Sequence, residues 1–104
     1  MALPTEAQVI DNLKSVVDPE LHIDVVNLGL IYNVKRNEEN NHIHIQMSLT
    51  SPACPYGPEL QRQVHETVEK MEGVQATQVE ITFSPPWDPR TMASDEAKDM
   101  LGIF

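Results

Sequence analysis

The feature that most constrains the fold is the segment "HIHIQMSL", residues 42–49, in which apolar and polar side chains alternate at every position. A period of two is that of a β-strand, because successive side chains of a strand point to opposite faces of the sheet. We therefore predict a strand with one core face and one solvated face. The predicted core residues are Ile43, Ile45, Met47 and Leu49, and the predicted solvated residues are His42, His44, Gln46 and Ser48.

Two further segments have strand character. In "NLGLIYNVKR", residues 27–36, Leu30, Tyr32 and Val34 alternate with the residues between them, and the polar cluster 37–41 then predicts a turn. Residues 27–49 should therefore form a β-hairpin. A third strand is predicted over residues 78–83, with its apolar face toward the core. That face consists of Val79, Ile81 and Phe83.

Helices are predicted before, between and after these strands. Thr5 begins a capping box, and apolar residues then recur at helical spacing as far as Asp18-Pro19. A second helix should start near Pro58, and Gly73 is predicted as its C-terminal cap. Ser94 is predicted as the N-cap of a third helix, because serine accepts a hydrogen bond from the first helical turn.

The resulting order is α-β-β-α-β-α. It predicts a small α/β domain of the α+β two-layer kind, with a three-stranded mixed sheet and helices packed on one face. The chain has 104 residues, so a single domain over residues 1–104 is expected.

The formal net charge is −9 at pH 7, and the seven Lys and Arg residues are scattered. Proteins that bind nucleic acids or anionic membranes cluster such residues, so neither kind of partner is expected. The sequence has no apolar run near membrane-spanning length and no signal-peptide pattern, and a cytoplasmic protein is expected. An acidic surface favours a cationic or protein partner.

Cys54 is the sole cysteine and lies between Pro52 and Pro55, ahead of the second predicted helix. Near a helix N-terminus the dipole stabilises a thiolate, which is the form that binds metals and attacks electrophiles. A buried, inert thiol is the structural alternative. One thiol cannot complete a metal or cluster site, so further ligands would come from a second protomer, a partner protein or a small thiol.

The histidines have ordinary structural interpretations beside their chemical ones. His42 and His44 could pair on a metal, but two imidazoles at this spacing are typical of a solvated strand face. A nucleophilic cysteine needs a base within hydrogen-bond reach, for which His22 and His65 are the candidates.

The acidic segment "DPELHID" and the tryptophan also have two readings. Asp18, Glu20 and Asp24 suit acid/base chemistry, yet a capped, solvated loop explains them equally well. Trp87 lies in a proline-rich loop, where we interpret it as an anchor on the core in preference to a lid over a site.

Three stretches together resemble one protein family: "DPELHIDVVNLGLIYNV", "MSLTSPACP" and "FSPPWDPRTMASDEAKDMLG". They follow in order over nearly the whole chain and are similar to the SufT/PaaD-like family of iron–sulfur cluster assembly proteins, which has eukaryotic cytosolic relatives. Two residues depart from the family pattern: Asn27 stands where Asp is frequent, and His22 stands where Pro is common, which should loosen the loop. The residues that match are Asp18, Pro19 and Glu20 of the acidic motif, Gly29 of a tight turn, Thr50, Ser51, Pro52 and Cys54 of the thiol loop, and Pro86, Trp87 and Pro89 of the last motif.

The resemblance implies an α/β domain with a non-enzymatic accessory role in iron–sulfur cluster assembly or in delivery to client proteins. It implies that Cys54 is a transient ligand of a cluster or metal, with the hydroxyls of Thr50 and Ser51 shaping its surroundings. Scaffold or client proteins are the implied partners, and a homodimer could bridge one cluster with two copies of Cys54. Two alternatives stay open, a metal-free interaction adaptor and a thiol-dependent enzyme. General maturation and a role tied to one oxygenase complex both fit the resemblance.

Overall fold

The computed structural model describes residues 3–50 and 55–102 of the chain. Its helices and strands follow the predicted order α-β-β-α-β-α, with the last helical region divided into two short helices. The elements are α1 (Glu6–Leu13), β1 (Ile31–Asn37), β2 (His42–Met47), α2 (Gly57–Glu69), β3 (Ala76–Ile81), α3 (Pro89–Met92) and α4 (Asp95–Leu101).

The three strands form one mixed sheet in the order β1-β2-β3. β1 and β2 pair antiparallel as the predicted hairpin, and β2 and β3 pair parallel. The parallel pair requires a crossover connection, which α2 supplies. Ile45 marks the centre of the sheet, since it pairs with Val34 on one side and with Val79 on the other.

The core lies on one face of this sheet. Ile43, Ile45 and Met47 of β2 are fully buried there, which confirms the face predicted from the alternation. The helices cover the same face with apolar side chains that are also fully buried. These are Val9 and Leu13 of α1 and Leu60, Val64 and Val68 of α2. The burial of each such side chain contributes about 1.5–3 kcal/mol to the stability of the fold.

The predicted start signals of two helices are present in the structure. Thr5 and Gln8 form the reciprocal capping box at the start of α1. Ser94 caps α4, and its hydroxyl accepts a hydrogen bond from the Ala97 N–H. None of the helices in the described ranges is long and apolar enough to cross a membrane.

Four sequence predictions about local structure are wrong. Ser48 is buried and not solvated, because β2 ends at Met47 and the next N–H donates to the Leu30 carbonyl at 2.8 Å. Phe83 lies beyond the end of β3 and is 40% exposed.

The other two errors concern helix ends. α1 stops at Leu13, ahead of the predicted boundary. α2 ends with Lys70 as its C-cap, so Gly73, with φ +94, serves the following turn and not the cap.

Candidate functional site

The acidic loop, residues 18–24, is closed by its own backbone. Val17 and Asp24 form an isolated antiparallel bridge at its ends, and the Asp18 N–H donates to the Ile23 carbonyl at 3.0 Å. The expected loosening at His22 is not found: its N–H donates to the Asp18 carbonyl at 2.8 Å, and its φ is +59. Proline has no N–H and a φ near −65°, so it could not replace His22 in this conformation.

Asp18 organises this loop from the inside. Its side chain is fully buried, and Oδ1 accepts hydrogen bonds from the backbone N–H groups of Glu20 and Leu21, each at 2.9 Å. The second oxygen, Oδ2, is also buried and has no hydrogen-bond partner in the described part of the chain. A buried carboxylate oxygen normally has a partner, so Asp18 Oδ2 is an exception among the described residues.

Glu20 links the acidic loop to the segment that follows Cys54. The Tyr56 hydroxyl donates to Glu20 Oε2 at 3.0 Å, and Tyr56 follows Cys54 by two residues in the sequence. The acidic loop therefore contacts the residue that caps α2, although more than thirty residues separate the two along the chain. Sequence analysis did not identify Tyr56, because no local pattern around a single tyrosine indicates a contact with a distant carboxylate.

The start of α2 is held against the end of the β2 segment. A Cβ at Gly57 would lie 2.6 Å from Cδ1 of Leu49, so a larger residue there would require the Leu49 side chain to shift. Tyr56 is the N-cap of α2, and Pro58 stands in the first turn, which confirms the predicted start. Thr50, at the end of the first described range, is half-buried. Cys54 and Ser51, the other two predicted ligand-site residues, lie outside the described residues.

The C-terminal motif packs on the turn of residues 24–30. Trp87 Nε1 donates to the Leu28 carbonyl at 2.7 Å, and its ring packs against the core. Trp87 is therefore an anchor, as interpreted from the sequence. Pro86, like Pro19 of the acidic loop, is exposed.

The lack of a side chain at Gly29 lets the C-terminal motif pack closely on the turn of residues 24–30. Gly29 has φ +79, and a Cβ there would lie 2.1 Å from the carbonyl oxygen of Met92 in α3. Next to it, the Ser94 N–H donates to the Asn27 carbonyl at 2.8 Å. A side chain at Gly29 would displace the whole α3 segment from the turn.

Asn27 departs from the family pattern but suits its surroundings. Its backbone N–H and its side-chain amide donate to the two carboxylate oxygens of Asp24, at 2.9 and 2.6 Å. An aspartate in this place would set two carboxylates against each other. Asp24 is therefore a structural residue of the turn.

The histidines are not gathered into a site. His42 is exposed, and His44 Nε2 lies 3.8 Å from Glu80 Oε1 on the polar face of the sheet. His65 lies on α2 with Nδ1 3.7 Å from Glu69 Oε2. Within residues 3–50 and 55–102, no three His, Cys, Asp or Glu side chains are grouped so that they could hold a metal ion.

Comparison with known proteins identifies the family. Residues 6–81 match the model of the family described as iron-sulfur cluster assembly protein. The Fe-S protein maturation auxiliary factor SufT of Staphylococcus aureus (strain USA300) is 44% identical over 88 residues, covering 85% of this chain and 98% of the relative. The Fe-S protein maturation auxiliary factor YitW of Bacillus subtilis (strain 168) is 42% identical over 95 residues, 91% of each protein.

The fold agrees with this match. The crystal structure of a domain of unknown function, DUF59, from Bacillus anthracis superposes with a TM-score of 0.86 at 38% identity, covering 95% of this chain and 92% of that one. The order of the three motifs, the fold and the matched residues therefore lead to one conclusion. This chain is a SufT-like member of the iron–sulfur cluster assembly protein family.

Proposed function

We propose that this protein is a cytoplasmic auxiliary factor in the maturation of iron–sulfur proteins, and that Cys54 is a transient ligand of the cluster or of its iron. The observation that carries the proposal is the hydrogen bond from Tyr56 to Glu20. It joins the acidic loop to Tyr56, which follows the only cysteine of the chain by two residues in the sequence, and the similar proteins are Fe-S protein maturation auxiliary factors.

The ligands that this chain can offer suit a cluster that is passed on better than a cluster that is held permanently. Clusters are held by several thiolates, commonly four, and this chain has one cysteine. Thiolate is the soft ligand that selects iron–sulfur species, whereas the carboxylates of Asp18 and Glu20 and the hydroxyl of Thr50 are hard oxygen donors. A single protomer would therefore hold a cluster weakly, and a second Cys54, a scaffold or a client would complete its ligands. Weak, shared ligation suits delivery, and it involves no catalytic turnover.

The test is anaerobic reconstitution with iron and sulfide, followed by measurement of both per protomer and of native mass. We expect wild type to bind both and Cys54→Ala to bind neither. Glu39→Ala is the matched control, because Glu39 is exposed in the turn between β1 and β2, at the other end of β2 from the Cys54 segment. A cluster in a wild-type dimer would support bridging by two thiols.

The same samples separate the alternatives. Equal binding by wild type and Cys54→Ala, or normal maturation of iron–sulfur enzymes in a Cys54→Ala strain under iron limitation, would refute the proposed ligand. No binding by either protein would favour the metal-free adaptor. Rapid stoichiometric alkylation of Cys54 that depends on a histidine would favour a thiol enzyme.

A further inference from the structure

β3 is an edge strand whose outer side has no strand partner among the described elements. The Thr82 N–H donates to the Met47 carbonyl of β2, which fixes the direction of the backbone groups at that position. Because these groups alternate along a strand, those of Thr77, Val79 and Ile81 point away from β2. Such a row of N–H and C=O groups is a template for another strand.

A groove runs beside this edge, between β3 and α2. It has a volume of about 300 Å³ and is lined by Pro58, Gln61, Arg62, His65 and Val79. The Gln61 side-chain amide donates to the Val79 carbonyl at 2.9 Å. That carbonyl therefore faces the groove, and an amide already binds it there in the way that a backbone N–H of an added strand would.

An exposed apolar residue follows the strand in the sequence. Phe83 follows β3 and is 40% exposed, although the strand alternation predicts it in the core. Val79 and Ile81 are half-buried and also contribute to the core face. Alternate side chains of an added strand would lie beside Val79 and Ile81 on the same face of the sheet.

The charges beside the edge are acidic. Arg62, the cation in the groove, is already bound by Glu59 and Glu66, and the hydrogen bond from Arg62 lowers the pKa of Glu59. On the polar face Glu80 is half exposed, and the chain as a whole carries −9. A second copy would bring the same negative charge, whereas a basic segment is attracted.

We propose that the β3 edge binds an extended segment of a partner protein, added as a fourth strand, in which Lys or Arg alternates with apolar residues. The basic side chains lie on the polar face beside Glu80. The apolar ones enter the groove between α2 and β3 and contact Phe83. Backbone hydrogen bonds give the affinity, and the alternating side chains give the selectivity. This proposal stands on the β3 edge and does not depend on Cys54.

The probe is the peptide acetyl-Lys-Val-Lys-Val-Lys-Val-Lys-amide, with a Glu-for-Lys peptide as its control. We expect the basic probe to slow hydrogen exchange of the Val79 and Ile81 amides about tenfold at saturation, as measured by NMR. Two further probes carry methyl groups on backbone nitrogens, one probe on those of the Lys residues and the other on those of the Val residues. Only one edge of the probe pairs with β3, so one of the two should lose binding and the other should keep it.

The matched protein variants are Glu80→Lys and Glu39→Lys, which change the net charge equally. Replacing attraction by repulsion at a cross-strand pair should weaken binding of the basic probe about fivefold for Glu80→Lys, while Glu39→Lys leaves it within about twofold. Both variants should bind iron and sulfide as wild type does. A negative result with the peptide therefore leaves the proposed role of Cys54 untouched, and a negative result for Cys54 leaves the β3 proposal untouched.

Three results would overturn the proposal. One is unchanged exchange of the Val79 and Ile81 amides with the basic probe. Another is equal binding by both methylated probes. The third is protection of these amides without any probe, increasing with protein concentration as the mass doubles, which would identify a second copy as the occupant.

Discussion

Replacing Gly29 by alanine should be among the most damaging single-methyl changes in this protein. The residue has φ +79, and the new Cβ would lie 2.1 Å from the Met92 carbonyl oxygen and 2.5 Å from its carbon. The two nearest atoms belong to the backbone, so no side-chain rotation relieves the overlap. Either α3 moves away or the turn of residues 24–30 changes its conformation.

The cost has two parts. A left-handed conformation costs a residue with a Cβ about 1–2 kcal/mol. Displacing α3 breaks the hydrogen bonds from Trp87 to Leu28 and from Ser94 to Asn27, at about 1 kcal/mol each. The sum is about 3–4 kcal/mol, which for a domain of this size lowers Tm by roughly 15–25 °C.

Urea unfolding followed by far-UV circular dichroism and by Trp87 fluorescence measures this loss. Gly102→Ala is the matched control, because Gly102 also has a left-handed φ, +71, but nothing lies within 4 Å of its Cβ position. It should lose only the conformational part, about 1–2 kcal/mol. If Gly29→Ala costs no more than Gly102→Ala, the close contact between α3 and the turn is refuted.

Three further substitutions test separate contacts. Thr5→Ala removes the capping box of α1 and should cost about 1 kcal/mol in thermal unfolding, whereas Thr91→Ala, at an exposed site, should cost much less. Asp18→Ala leaves the Glu20 and Leu21 N–H groups without their acceptor and should cost about 2–4 kcal/mol in urea; a loss under 1 kcal/mol would contradict the described loop. Arg62→Gln removes the group that lowers the pKa of Glu59 from its ordinary 4.5. The ionised Glu59 stabilises the fold above pH 4.5 and loses that effect as the pH falls through its lower folded pKa, so the Tm of Arg62→Gln should depend less steeply on pH in this acid range, and an unchanged profile would count against the pair.

Periodicity and capping signals were enough to predict the framework. The alternation around Ile45 identified the central strand and its buried face, and Thr5 and Ser94 marked two helix starts. These features depend on neighbours within a few residues. A single sequence therefore contains the information needed to predict them.

The errors came from information that lies elsewhere in the chain. Ser48 continues the alternation, but β2 ends at Met47, and Ser48 is buried beyond the end of the strand. The contact between Tyr56 and Glu20 and the approach of Met92 to Gly29 join residues more than thirty positions apart. No local pattern specifies such contacts. They arise when α2 and the C-terminal segment dock on the sheet.

The parallel pairing of β2 and β3 relates the two proposals. Met47 and Ile81 are register partners, so the segments that leave both strands start at the same end of the sheet. One begins the stretch that contains Cys54, and the other contains Phe83. A strand added to β3 would lie about 10 Å from β2, two strand spacings away. A client segment added to β3, as proposed, would therefore have one of its ends at the same end of the sheet as Ser48, where the chain leaves β2.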